Sequence, residues 1–289
     1  MHSAIISLLS GLGGMFGWGI YDFFAGVYSK KIGPYKTFFW SQLAGFFFVL
    51  LLYSVFTATL NVPVLTIVLL PIAALFYSVG YLFFMKGFEI GNISIVAAIM
   101  NLWAVFTMAI AFIFMGQRLS TLQSIGVLLI ISGATLASLN WRDIKNKRFQ
   151  LSSGVKETVS GAFFCGVFWN ISEIISEEIG WLLTTLFVKI GIILFLLLLS
   201  FFIKRDLYLT KAGPKTKIML VSMGILEAGT VAIVNFGLTI GDAILITPIA
   251  SALSIVTISM AVVFLKDKIT KLQALGIITA VSGIIVTGL

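Results

Sequence analysis

GNISIVAAIMNLWAVFTMAIAFIFMGQRLSTLQSIGVLLIISG (residues 91–133) can be laid without a gap over GDAILITPIASALSIVTISMAVVFLKDKITKLQALGIITAVSG (residues 241–283). The register is an offset of 150 residues. It pairs Gly91 with Gly241, Thr107 with Thr257, Phe114 with Phe264, Gln123 with Gln273, Gly126 with Gly276 and Ser132-Gly133 with Ser282-Gly283. Self-similarity at a fixed offset marks a duplicated structural unit. What kind of unit it is depends on the solvent it lives in.

Composition answers that. Of 289 residues, 60% are hydrophobic and 10% charged, with a mean hydropathy of +1.12, whereas a soluble domain carries about 25% charged residues. Apolar blocks of about 20 residues, the length a helix needs to cross a bilayer, recur along the chain. Breaks at charged, Pro, Gly and Asn clusters divide it into ten spans, at 4–28, 35–56, 66–87, 93–115, 119–139, 155–179, 181–203, 216–237, 243–265 and 269–288. The blocks are continuous and do not alternate, and lipid offers no partner to open backbone groups, so helices are expected and not barrel strands. The N-terminus MHSAIISLLSG has no Lys or Arg ahead of its apolar run, so it is read as the first span and not as a cleaved leader.

The basic residues set the orientation. Lys30, Lys31 and Lys36 fall in the first connector, Lys86 in the third, and Arg142, Lys145, Lys147, Arg148 and Lys156 in the fifth. Lys204, Arg205, Lys211, Lys215 and Lys217 fall in the seventh, and Lys266, Lys268 and Lys271 in the ninth, while the even connectors hold Arg118 alone. The positive-inside rule then places the odd connectors in the cytoplasm and both termini outside. Five spans is an odd number, so the second copy enters the membrane from the opposite side to the first. The expected fold is an all-α integral membrane protein of ten transmembrane helices in two inverted five-helix repeats. These are residues 1–140 and 154–289, joined by a basic cytoplasmic connector at 141–153. Inverted repeats are an architecture of secondary transporters, which hold substrate near the midplane between the halves.

The composition also excludes. One cysteine, Cys165, and one histidine, His2, leave no disulfide and no Cys/His metal site. No glycine-rich phosphate loop followed by Lys and Ser/Thr is present, so no nucleotide, cofactor or catalytic residue is expected. The net charge of +8 lies in short connectors, which speaks for topology and against a nucleic-acid face. Monomer and homodimer both remain open.

The tract FFMKGFEIGNISIVAAIM (83–100) with MGQRLSTLQSIGVLLIISG (115–133), and its partner VNFGLTIGDAILITPIAS (234–251) with FLKDKITKLQALGIITAVSG (264–283), resemble the EamA-type family of the drug/metabolite transporter superfamily. The resemblance covers essentially the whole chain. It implies a ten-helix carrier of amino acids, sugars or other small metabolites, with helices 1, 3, 4, 6, 8 and 9 around a central cavity and helices 5 and 10 outside. The sequence departs from the family pattern at Gly116-Gln117 and Lys266-Asp267, where Gly-Glu is usual, and lacks a proline near Ala104 and Ser254.

Charges inside membrane helices are expensive and face wet cavities or partners, so they mark the candidate site. CGVFWNISEII on helix 6 aligns with GMFGWGIYDFF on helix 1 at an offset of 151, pairing Trp18 with Trp169, Gly19 with Asn170 and Asp22 with Glu173. Asp22, set roughly 9 Å inside a helix end at residue 28, is either a gate, proton or cation site, or a structural partner of Lys30, Lys31 or Lys86. Glu173 has the same two readings nearer a loop. Lys189 and Glu227 lie close to the midplane: Glu227 is read as a site for a proton or a substrate amine, and Lys189 as its structural ion-pair partner. Tyr77 is the repeat counterpart of Glu227, and Asn101 pairs with Ser251. These three, like Gln42 and Asn235, either bind a polar substrate or bond between helices. Trp18, Trp103 and Trp169, with Asn170, wall a cavity or simply pack. Gly13 and Gly17 allow close helix approach, and Pro248 is expected to bend helix 9 or sit in its first turns. The function expected is alternating-access transport of a small polar or amphipathic metabolite, amino-acid-like and outward, with protons or cations as coupling partners. The competing readings are a sugar permease of the same fold, a membrane enzyme and a non-transporting scaffold.

Overall fold

A computed structural model describes residues 2–56, 62–90, 96, 99–138, 154–204, 206–209, 212–265 and 270–287, and no strand occurs among them. The helices are α1 (His2–Ile32), α2 (Pro34–Val55), α3 (Val64–Ile90), α4 (Leu102–Phe114) and α5 (Thr121–Ser138), then α6 (Val155–Phe202), α7 (Pro214–Leu238), α8 (Ala243–Ser251), α9 (Leu253–Leu265) and α10 (Lys271–Thr287). Six segments are long and apolar enough to cross a membrane: Ala4–Ile32, Pro34–Val55, Val64–Ile90, Val155–Phe202, Pro214–Leu238 and Ala243–Phe264. Leu102–Phe114, Thr121–Ala137 and Lys271–Thr287 are apolar but shorter. Most of the basic connector at 141–153, and the Lys266-Asp267 departure, lie outside the described residues.

Three differences from the expected spans matter. First, α1 runs four residues past residue 28, so Lys30 and Lys31 sit in its last turn, where cations favour the helix C-terminus. Asp22 is therefore roughly 15 Å from that end and not 9 Å. Second, α6 is a 48-residue element with one non-helical residue, Gly180, at φ 78 and ψ 161, a region open in practice only to glycine. That residue is the whole connector between arms 155–179 and 181–202. Third, the ninth span is interrupted at Ala252, one residue after Ser251 and four after Pro248. Its repeat counterpart breaks at the matching place, since Asn101 is a turn residue immediately before α4.

Two pairs of counterparts in the repeat alignment meet inside the bundle and together mark an axis between the copies: Trp18 and Trp169, with ring centroids 5.1 Å apart, and Tyr77, which donates a hydrogen bond to Glu227. At the periphery α5 and α10 cross antiparallel. Gly126 lies against Gly283 and Thr287, and Gly133 against Gly276 and Ala280, so that a Cβ at any of the four glycines would meet neighbouring backbone. Small residues at such a crossing let backbones approach closely. Gly13 and Gly17 of α1 play a similar part against Ile233 and Thr230 of α7.

Connectors of like parity meet at the same end. Lys31 donates to Thr216 Oγ1 at 3.0 Å, Lys36 pairs with Asp206 at 2.9 Å, and Trp40 Nε1 donates to Leu207 O at 2.9 Å, joining the first connector to the seventh. The hydrogen bond from Lys36 holds the exposed Asp206 carboxyl below its usual range. At the opposite end Trp181 stacks edgewise on Phe56 and Phe236, bringing together the ends of spans 2, 7 and 8.

Candidate functional site

A small cavity of about 20 Å³, room for roughly one water, lies beside the axis. Trp18 and Asp22 reach it from α1, Tyr81 from α3, Trp103 from α4, Cys165 and Trp169 from α6, and Leu253 from α9. The sources are therefore spans 1, 3, 4, 6 and 9; no residue of span 8 lines it. The three tryptophans form one cluster, with Trp103 at 6.0 Å from Trp18 and 6.1 Å from Trp169. Trp18 Nε1 has no acceptor. Asp22 is only 6% exposed, and no hydrogen bond or ion pair reaches it among the described residues. The candidate partners named from sequence are committed elsewhere: Lys86 pairs with Glu89 at 2.6 Å and Lys31 bonds Thr216.

Glu227 and Lys189 show the opposite arrangement. They form a buried ion pair, with Lys189 also donating to Gln42 Oε1 at 2.6 Å and Tyr77 donating to the second oxygen of Glu227. Both residues are essentially without exposure. The pair is closed. It leaves Glu227 with no oxygen uncommitted. Stacking of Tyr77 on Tyr81 at 4.5 Å links this network to the cavity wall.

Glu173, though fully buried, is held. Gln117 Nε2 donates to both of its oxygens at 2.8 Å, and the backbone N–H of Ala243 donates to one at 2.8 Å. Ile244 N–H in turn donates to Gln117 Oε1 at 3.1 Å. The carboxylate thus sits on the first turn of α8, where free N–H groups and the helix dipole favour an anion. It ties the connector after α4 to α6 and α8. Gln117, noted in the sequence only as a departure from Gly-Glu, gains a role there that no local pattern could reveal.

Asn101 and Ser251 do not meet. Asn101 Nδ2 reaches Ser254 Oγ at 3.5 Å instead, and Ser251 donates to Pro248 O at 2.7 Å. Asn170 donates to Thr107 O and Gly166 O, and Asn235 to Thr185 while accepting from Ser172, all helix-to-helix or within-helix bonds. The side-chain oxygens of Asn101 and Asn170 are buried without partners. A second, larger cavity of about 580 Å³ opens sideways between α2 and α7, lined by Trp40, Phe47, Tyr208, Lys217, Leu220 and others. Phe47 and Tyr208 are largely exposed there, so it lies on the outer surface of the bundle.

The helical architecture, the duplicated halves and the buried charge between them define a membrane transport protein. The EamA-like transporter family matches residues 5–139 and again residues 153–289, and the chain belongs to that family, within the drug/metabolite transporter superfamily. No curated protein matches it. A solved structure described only as "Crystal structure of protein" is similar in fold, with a TM-score of 0.77 at 15% identity over 97% of this chain and 96% of that one.

Proposed function

We propose that the protein is a secondary transporter that carries a small polar or amphipathic metabolite outward across the cytoplasmic membrane by alternating access, in exchange for protons. The observation that carries this reading is Asp22, a buried carboxylate without a partner among the described residues, beside the axis on which the two copies meet. A carboxylate in a low-dielectric site is stable protonated or bound to a cation, and exchange of one for the other is the elementary step of antiport.

Ten crossings fit the described helices: α1, α2, α3, the stretch ending in α4, α5, the two arms of α6, α7, α8 with α9, and α10. The meeting of connectors one and seven at one end, and of spans 2, 7 and 8 at the other, supports that threading, with the basic end in the cytoplasm. Glu173 then closes the outer face, and rocking of the halves about the shared axis opens one side as it shuts the other. Asp22 speaks for a charged or amine-bearing substrate over a neutral sugar.

Proteoliposomes holding the purified protein should show substrate flux from a panel of metabolites that accelerates under an imposed proton gradient. Asp22→Asn should lose at least tenfold of that rate. No flux across the panel with either gradient direction, or gradient-independent flux that Asp22→Asn leaves intact, removes the reading.

A further inference from the structure

Resting on the reading of this cavity as the transport site, we infer that it seats the primary ammonium group of an alkylamine whose skeleton carries no carboxylate beside the nitrogen. The lining is what decides the class. Asp22 supplies a carboxylate that no cation among the described residues pairs with, and Trp18, Trp103, Trp169 and Tyr81 surround it with aromatic rings. Aromatic faces attract an organic cation within about 6 Å of their centroids.

The remaining lining is carbon and sulfur: Phe84, Met100, Cys165 and Leu253. A hard metal cation needs about six oxygen ligands, and here only the Asp22 carboxylate and the Tyr81 hydroxyl could supply them. The volume narrows the class further. At about 20 Å³ the cavity takes one group the size of water, which an –NH3+ head matches and a trimethylammonium head exceeds.

An α-amino acid is disfavoured by what is missing from the wall. Among the described residues no cationic side chain lines the cavity, and the buried Lys189 is occupied by Glu227 and Gln42. The Trp18 N–H is a single neutral donor, too little to balance a carboxylate taken out of water.

Trp18, Trp103 and Trp169 make the test direct, because all three line the cavity and report on its occupancy. The purified full chain in detergent is melted in the presence of n-butylammonium, n-butyltrimethylammonium, norleucine or butyrate, with tryptophan fluorescence as a second readout. Saturating n-butylammonium should protect against thermal unfolding, since a ligand of the folded state raises its apparent stability, and change the fluorescence, whereas the other three compounds should do neither. Asp22→Asn should abolish the protection.

Protection by norleucine or by n-butyltrimethylammonium equal to that by n-butylammonium overturns the inference, as does the absence of any response to n-butylammonium in either readout. The comparison in the unmodified protein stands whether or not Asp22→Asn folds. Flux of zwitterions in proteoliposomes without protection by the amine would sink this inference and keep transport. Protection by the amine without flux of any compound would do the reverse.

Discussion

Two acids a turn or so from the same axis have opposite circumstances, and that difference is measurable. Glu227 is bonded on both oxygens, to Lys189 and Tyr77. Removing its charge strands a buried ammonium, which costs about 3–5 kcal/mol. Glu227→Gln should therefore lower thermal stability in detergent markedly, and adding Lys189→Met in the same chain should restore much of it, since a buried ion pair replaced by neutral groups is often no loss. Asp22→Asn removes a charge that has no partner to lose, so its melting temperature should equal or exceed that of the parent protein. A fall as large as that of Glu227→Gln would show that Asp22 is structurally bonded after all. The sequence exposed both residues because a charge in an apolar run is conspicuous. Similar depth suggested Lys189 as the partner of Glu227, but Gln42 and Tyr77 could not be added to that pair, because the four residues come from four different helices. Only the offset that equates Tyr77 with Glu227 hinted that these two might meet.

At the scale of helices, the lengths and the repeat were legible, while the irregularities were only partly so. Gly180 stood in the sequence as one glycine among 27, and nothing local says that it alone turns the chain between two arms of α6. It has open space around a prospective Cβ, so Gly180→Ala should act through backbone strain only and cost about 1–3 kcal/mol, read as a lower melting temperature. Pro248 announced an irregular ninth span, yet the helix breaks four residues later at Ala252. The matching break at Asn101 has no proline to announce it. The Glu173 cluster was invisible for a different reason: one of its donors is a backbone N–H at the start of α8, which carries no sequence signal. Glu173→Ala should free that helix start and open the adjacent face, so alkylation of Cys165 should rise several-fold over the parent rate. An unchanged rate would mean that Glu173 braces the closed bundle without governing access.

For the molecule as a whole, the duplication carried most of the architecture, because an offset of 150 residues and alternating basic connectors constrain threading more tightly than any single helix does. The crossing of α5 and α10 is where the halves are locked, and its backbones leave no room for a side chain. Gly133→Leu should destabilise the protein by at least the 1–3 kcal/mol typical of overpacking, whereas a substitution at Gly26, where nothing lies within 4 Å, should be silent in the same melting experiment. The contact of Tyr77 with Glu227 has a kinetic meaning. In a dimer of identical subunits whatever stands on the symmetry axis must face its own twin, and the two end states of a rocking motion would be energetically degenerate. Here a phenol faces a carboxylate, and a lysine from one half alone leans on the latter. Under the rocking motion proposed above, inward-open and outward-open forms are unequal in free energy, and half-saturating concentrations measured from the two faces of the bilayer should differ.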